Sequence, residues 1–420
     1  MTCLGLLVLV RTDHRHLDGR PSGDCAEGLP LEIREALGVC AARQLDGGGS
    51  PARLWLTERR SGERLVVKVL RGRDGTVDGH DLGTFQLKPR QIRLVHARVP
   101  RLSHSYARVV GEWRGRGWAA YAMPHYTGRP ITAPLGSPVP DLAAFYGDLR
   151  RVFGLLTEGY VVDRGPAPPD HFEVMHLDRL RRRLPVLRRH LAPQLFCDRL
   201  VVNGRPCRGL PRLLDALAAD DRLSRALRPG RLSFPVHGDL NLGNLLVDAG
   251  GFVVLDPRGT LAAWDPVYDF AKSLFSLTVF EQAMAGGFTV RSGRLPDGTP
   301  SWEVALRAGY RAYPAAAVGF VTFLASLPFA AELDRDDPEW RRRLLVTHAV
   351  HCVAEAACRL SDRKPRTYGQ VGGFAACRLL ATGLYLVGLL LLDDLVPVAG
   401  DVPPERHLQW LGPDLLRALA

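Results

Sequence analysis

The 420-residue sequence contains no Cys-x-x-Cys pair, no histidine spaced from a cysteine as a zinc partner, no internal repeat and no long low-complexity segment. Its eight cysteines, Cys3, Cys25, Cys40, Cys197, Cys207, Cys352, Cys358 and Cys377, are scattered. That scatter argues against a zinc ribbon or a dense disulfide framework and reads as reduced thiols in a cytoplasmic protein. A bilayer-spanning run is lacking too: the apolar stretch from Leu379 to Leu392 covers 14 residues between Arg378 and Asp393, short for a span and expected to be a buried core helix. The apolar start, "MTCLGLLVLV", has neither a basic flank nor a small-residue cleavage site, so it is read as a strand, with a signal peptide as the alternative. Acidic charge is in deficit: 44 Asp and Glu face 55 Lys and Arg, for a net charge of +11. Much of the excess is arginine, in runs such as "RLRRRLPVLRRH" at Arg179–His190. Nucleic acid or an anionic ligand is compatible with that balance. No aromatic platform is interleaved with the arginines, so nucleic acid is not expected and the run is read as a solvated helix face. Membrane association is not expected either, and the oligomeric state is left open.

Hydrophobic residues make up 46% of the chain, enough for a substantial core. Pro30 opens a candidate helix with Leu29, Ile33 and Leu37 on one face and Gly38 at its end. After "DGGGS" at Asp46–Ser50 come the strand-like runs "PARLWLTE" and "ERLVVKVL", then "YARVVGEW" and "GWAAYAMPHY". A Gly/Pro-rich connector, Thr127–Pro140, precedes a helical pattern with Asp141 as N-cap and Gly159 as stop. Beyond it the pattern is mostly helical, apart from one hairpin and a loop-like stretch around Gly286–Pro300. The expected fold class is α+β, with residues 1–44 as an extension and first helix, 45–126 as a small β-rich N-lobe and 127–420 as a larger α-helical C-lobe.

The hairpin carries the chemistry. In "VHGDLNLGNLLVDAGGFVVLDPRG" the runs Leu245–Val247 and Phe252–Leu255 flank "DAGG", a suitable tight reversal. Antiparallel pairing brings Asn244 and Asp256 to the same end, and Asp239 enters that end from the preceding loop. Asn244 and Asp256 offer oxygen ligands for a hard cation such as Mg²⁺, and the withdrawn Asp239 could act as a base, as phosphoryl transfer requires. Lys68, in the middle of "LVVKVL", is placed to grip nucleotide phosphates; the plainer reading is an edge-strand lysine.

"HGDLNLGN", "LDPRG" and "DPVYDFAK", within Val236–Leu277, resemble the catalytic segment of the aminoglycoside phosphotransferase and choline kinase superfamily, relatives of the protein kinases. The resemblance implies a two-lobed protein-kinase-like fold that uses ATP or GTP and Mg²⁺. It implies Asp239 as catalytic base, Asn244 and Asp256 as metal ligands, His237 as a brace of the loop and Asp269 as the aspartate that ties down the loop backbone. Gly47, Gly48, Gly49 and Ser50, with Lys68, would line the nucleotide. The acceptor would be a hydroxyl of a small molecule: a sugar, an amino alcohol or an antibiotic-like compound. Two departures stand out. The helix after Lys68 offers Gln86 and Gln91 but no glutamate to pair with it, Asp78 and Asp81 lying before it and Glu112 beyond. "DGGGS" is not the protein-kinase G-x-G-x-x-G loop. The competing readings are a degenerate kinase fold used as a binding module and a metal-dependent phosphoesterase, although Leu245 rather than histidine follows "GN". The arginine-rich C-lobe disfavours a polycationic acceptor and suits a neutral or anionic one.

Overall fold

The computed structural model describes residues 28–45, 50–72, 77, 79–307, 312–362, 366–367, 370–371 and 373–396. The apolar start, Gly47, Gly48, Gly49 and Asp78 lie outside the described residues.

The N-lobe is built on β1 (Val39–Leu45), β2 (Arg53–Arg59), β3 (Arg64–Arg71), β4 (Gly111–Gly115) and β5 (Trp118–Pro124), preceded by helix α1 (Leu31–Leu37). The sheet runs β1-β2-β3-β5-β4, antiparallel throughout. Period-two alternation divides β3 between two cores. Leu65, Val67 and Val69 pack with Ile33 and Leu37 of α1 and with Trp55. Val66 and Leu70 pack on the other face with Phe85, Tyr121, Leu246 and Leu255. Residues 31–44, set apart above within the extension and first helix, therefore belong to the N-lobe, β1 as its edge strand and α1 packed on its face. Lys68 sits opposite Leu54 on one side and Tyr121 on the other, which corrects the edge-strand reading: β3 is central. The segment before β4 does not extend the sheet as "YARVVGEW" suggested. Instead Tyr106 bridges Val254 and Ala107 N–H donates to Val254 O at 3.0 Å, joining the lobes. Helix α2 (Leu82–Arg98) crosses the inner face, capped by Asp81, whose carboxylate accepts from Thr84 N–H at 2.8 Å.

The C-lobe begins with β6 (Arg129–Pro130) and α3 (Leu142–Tyr160), which Asp141 caps by accepting from Ala144 N–H. Next come β7 (Asp163–Pro166), α4 (Asp178–His190), the hairpin β8 (Arg199–Val202) and β9 (Arg205–Arg208), α5 (Leu210–Ala219), α6 (Asp221–Leu227) and β10 (Arg231–Phe234). The polar hairpin is β11 (Leu245–Val247) and β12 (Phe252–Val254). Helix α7 (Val267–Phe275) passes through a π turn into α8 (Glu281–Gly286). Strands β13 (Phe288–Arg294) and β14 (Pro300–Leu306) and helices α9 (Ala312–Ala325), α10 (Pro328–Asp336), α11 (Trp340–Ser361) and α12 (Phe374–Leu395) complete the order.

Two expectations change. The loop-like stretch is the hairpin β13–β14, joined to β8 and β9 in a four-stranded sheet. Its turn residues Pro296, Asp297 and Gly298 made the region look irregular, whereas they are the reversal between two strands. The arginine run is helix α4, but Arg179 and Arg183 are buried rather than solvated.

Among the described residues α12 is long and apolar enough to cross a membrane. It lies against α11, with Leu384, Tyr385, Leu389 and Leu392 buried. At Gly388 a Cβ would come within 2.8 Å of the Val353 nitrogen, so only glycine permits this approach of the two helices. A buried triad fastens α11 to the start of α7. Arg343 Nε donates to Asp265 Oδ2 and Arg343 Nη1 to Asp337 Oδ1, both at 2.8 Å, while Asp265 Oδ1 also caps α7 through Val267 N–H.

Candidate active site

Strands β11 and β12 pair as Leu245–Val254, Leu246–Val253 and Val247–Phe252. Asp248 Oδ1 closes the turn by accepting from Gly250 and Gly251 N–H, each at 2.8 Å. At the open end Leu255 N–H donates to Asn244 O at 2.8 Å. Asp256 follows with φ 54°, a left-handed conformation that aspartate tolerates better than bulkier residues.

The preceding loop is held from several sides. Asp269 accepts from His237 N–H and Gly238 N–H, both at 2.7 Å, and from Tyr160 Oη–H at 2.9 Å. Burial pushes its carboxyl up to about 7, against the three donors that favour the ionised form. The buried His237 ring sets its own tautomer. Leu255 O can only accept, so Nε2 carries the proton (2.9 Å), and Asp239 N–H can only donate, so Nδ1 is the acceptor (3.2 Å). Burial lowers this imidazole to about 4, and it is neutral at physiological pH. Gly238 has φ +74°, and a Cβ there would stand 2.9 Å from Arg258 Cβ. Gln91, an amide where a glutamate was sought, bonds backbone instead. Its Nε2 donates to Val236 O at 2.9 Å, and its Oε1 accepts from Gly259 and Thr260 N–H at 2.7 and 2.9 Å. One α2 side chain thereby ties the segments on either side of the hairpin together.

The charges lie between these supports. Asp256 Oδ2 accepts from Lys68 Nζ at 2.5 Å, and its Oδ1 from Lys88 Nζ at 2.8 Å and Tyr121 Oη–H at 3.1 Å. Asp239 Oδ1 meets Lys272 Nζ at 2.8 Å and Asn241 Nδ2 at 3.1 Å. Asn244 Nδ2 donates to Asp239 O at 2.8 Å. Burial alone would raise both carboxyls, but Lys272 and Lys88 at Asp239, and Lys68 and Lys88 at Asp256, outweigh it and hold each well below the usual carboxylate range. Lys272 also donates to His351 Nε2 at 2.8 Å, linking the loop to α11. The structure thus gathers His237, Asp239, Asn244, Asp256, Asp269 and Lys68, and Ser50 lines the same cleft.

Lys88, Lys272, Gln91 and Tyr121 were not singled out as site residues from sequence. One signal was available for the lysines. The chain has only four among its 55 Lys and Arg residues, Lys68, Lys88, Lys272 and Lys364, and the first three meet the two carboxylates. An ammonium is a compact point charge that a planar guanidinium does not replace, so a rare lysine in an arginine-rich chain marks a place where that distinction counts.

The cleft, with a cavity volume of about 110 Å³, opens between the hairpin end and the facing sides of α4 and α11. Asn244 and Asp256 present only oxygen to a cation, and Asn244 spends its NH₂ on the loop carbonyl. Among the described residues no three His, Cys, Asp or Glu side chains form a ligand cluster. Such a donor set fits Mg²⁺, which takes one or two protein oxygens and completes its shell with water and phosphate.

Several solved structures are similar to this chain. One is a thermostable mutant of aminoglycoside phosphotransferase APH(4)-Ia in ternary complex with AMP-PNP and hygromycin B, at 13% identity over 88% of this chain and 98% of that one, with a TM-score of 0.49. Another is amicoumacin kinase hAmiN in complex with AMP-PNP, Ca²⁺ and Ami, at 11% identity over 85% and 92%, with a TM-score of 0.42. A third is the aminoglycoside-3'-phosphotransferase of type VIII, at 16% identity over 74% and 96%, with a TM-score of 0.38. No curated protein matches the sequence. Residues 41–317 match the model of the phosphotransferase enzyme family. That stretch includes Lys68, Lys88 and everything from His237 to Lys272, and ends before α11.

Proposed function

The chain belongs to the phosphotransferase enzyme family, and from that premise we propose that it transfers the γ-phosphoryl group of ATP to a hydroxyl of a small molecule, with Asp239 as base. The observation that carries this reading is the pair of carboxylates at one hairpin end, Asp239 and Asp256, each held ionised by its own lysine contacts. Asp239 orients the acceptor hydroxyl. Its oxygen forms the new bond to γ-phosphorus, the bond to the β-phosphate bridging oxygen breaks, ADP leaves, and the hydroxyl proton passes to Asp239. A carboxylate held this low is a weak ground-state base. In a largely dissociative transfer, orientation comes first and the proton moves late, so a weak base suffices. Lys68 and Lys88 are placed to exchange Asp256 for phosphate oxygens. Asn244 and Asp256 would hold Mg²⁺, which offsets phosphate charge when bound. A cytoplasmic setting, where ATP is available, belongs to the same proposal.

The test is ATP consumption by the purified protein across sugars, amino alcohols, nucleosides and aminoglycosides, with product mass reporting an added phosphoryl group. Asp239→Asn should keep nucleotide binding and lose roughly two to four orders of magnitude in turnover. Full activity in that variant would remove Asp239 from its role. Nucleotide binding without acceptor-dependent turnover would favour the binding-module reading.

A further inference from the structure

We propose that the acceptor of this reaction is an anionic hydroxy compound, its carboxylate or phosphate held by Arg179 and Arg183 of α4 and Arg359 of α11. The inference rests on the kinase reading and specifies its second substrate.

The wall opposite the hairpin is assembled by helical spacing. On α11, His351, Glu355, Cys358 and Arg359 recur at intervals that keep them on one face, and all four line the cleft. On α4, Arg179 and Arg183 lie one turn apart and line it too. Lys272 fixes how close this wall comes to the chemistry, since its ammonium bonds both Asp239 and His351 at 2.8 Å. The guanidiniums are positioned by specific contacts. Arg183 Nη1 donates to Ala354 O at 2.8 Å, Arg179 Nη1 to Tyr268 Oη at 3.0 Å, and Arg359 Nη2 to Glu355 Oε1 at 2.6 Å. Arg258 stacks over the Trp264 ring at 5.0 Å and donates to the same Tyr268 oxygen.

Two observations point to the ligand. First, the charge of this side of the cleft is lopsided. Arg179, Arg183, Arg258, Lys272 and Arg359 face the carboxylates Asp239 and Glu355 and the carboxyl of Glu281, which burial pushes up to about 7. A polycation would meet like charge at short range, whereas an anion meets complementary charge where low dielectric strengthens it. Second, two cleft-lining residues carry buried polar atoms with no partner among the described residues: Asn241 Oδ1 and His351 Nδ1. His351 accepts from Lys272 through Nε2, so its Nδ1 bears a proton to donate. An acceptor and a donor are the complement of a hydroxylated molecule, and such orphans call for a partner. Half of the wall, on α11, also lies beyond the residues that match the family.

The experiment uses the full chain saturated with AMP-PNP and Mg²⁺, so that the nucleotide site is filled. Thermal stability and calorimetry then read binding of inorganic phosphate and citrate as anionic probes and of spermidine as the cationic one, at matched ionic strength. Phosphate or citrate should bind and stabilise, spermidine should not, and Arg179→Gln and Arg359→Gln should each weaken the anion by about tenfold or more. Circular dichroism and AMP-PNP affinity identify a variant that has merely misfolded; with two independent arginines one informative variant suffices. Binding of spermidine in preference to both anions, no anion binding at all, or anion binding unchanged in the folded variants would overturn the proposal. AMP-PNP binding and ATP turnover are read separately. Loss of those would sink the kinase reading, whereas efficient turnover of cationic acceptors would retain the kinase and reject the anionic subsite.

Discussion

Replacing Lys272 by methionine should raise the pH at which Asp239 titrates, and the structure sets the size of the move. The ammonium lies 2.8 Å from Asp239 Oδ1. At that separation the Coulomb attraction is about 1.5 kcal/mol in a water-like dielectric and about 6 kcal/mol at an effective dielectric of 20. The lysine side chain is 4% exposed but the aspartate 31%, so the lower half of the range applies, about 2–3 kcal/mol, or roughly two pH units. The sign follows from the opposing influences. With Lys272 present, Asp239 titrates below the usual carboxylate range and stays ionised throughout an ordinary assay. Without it, burial gains ground against Lys88 and the folded-state pKa rises by that amount, back toward the usual carboxylate range. Methionine keeps the volume of the stem. The assay is the Asp239 carboxyl carbon shift followed by ¹³C NMR from about pH 7 downward, with AMP-PNP binding as the control for folding. An Asp239 titration within about 0.3 pH units of wild type, in a variant that still binds AMP-PNP, would refute the assignment of Lys272 as the group that keeps Asp239 ionised.

Asp256→Asn should abolish the Mg²⁺ dependence of nucleotide binding while metal-free nucleotide still binds, because Lys68 and Lys88 are released toward the phosphates; calorimetry showing unchanged Mg²⁺ dependence would remove Asp256 as a ligand. Arg343→Met leaves the buried Asp265 and Asp337 carboxylates facing each other and should cost about 3–5 kcal/mol in urea unfolding, and a loss below about 1 kcal/mol would show that the triad is not essential to the α7–α11 junction.

Much of the fold was legible because it is written in local patterns. The polar hairpin follows from two apolar runs around "DAGG" and the α3 start from Asp141. What sequence could not supply was pairing at long range. Pro296, Asp297 and Gly298 look alike whether they punctuate a loop or reverse a hairpin, and only the partners of β13 and β14 decide. Arg179 and Arg183 share a helix with exposed arginines, and only their bonds to the Tyr268 hydroxyl of α7 and the Ala354 carbonyl of α11 show that they belong to the cleft. Gln91 was seen but judged as a failed glutamate. Its bonds to Val236, Gly259 and Thr260 show a different task, joining segments separated by about 145 to 169 positions.

The missing glutamate is the most instructive case, because the search was for the wrong sign. In the kinase arrangement an acid on the helix after Lys68 would balance the lysine. Here α2 delivers Lys88 instead, and Asp256 balances both ammoniums. Changing an acid for a base alters the charge beside the phosphates by two units, which favours binding of a polyanion and lessens what a metal must offset. Lys88→Glu would restore the sign that the comparison with kinases demands. If the glutamate pattern is merely absent by drift, that variant should bind nucleotide as well as wild type. The structure says otherwise. A second carboxylate would face Asp256 from where an ammonium stands at 2.8 Å, exchanging attraction for repulsion in a buried setting. Nucleotide affinity should fall further in Lys88→Glu than in Lys88→Gln, by about tenfold or more, as expected for a like charge in place of a neutral group. Equal affinities in the two variants would mean that Lys88 acts by filling space and not by its charge.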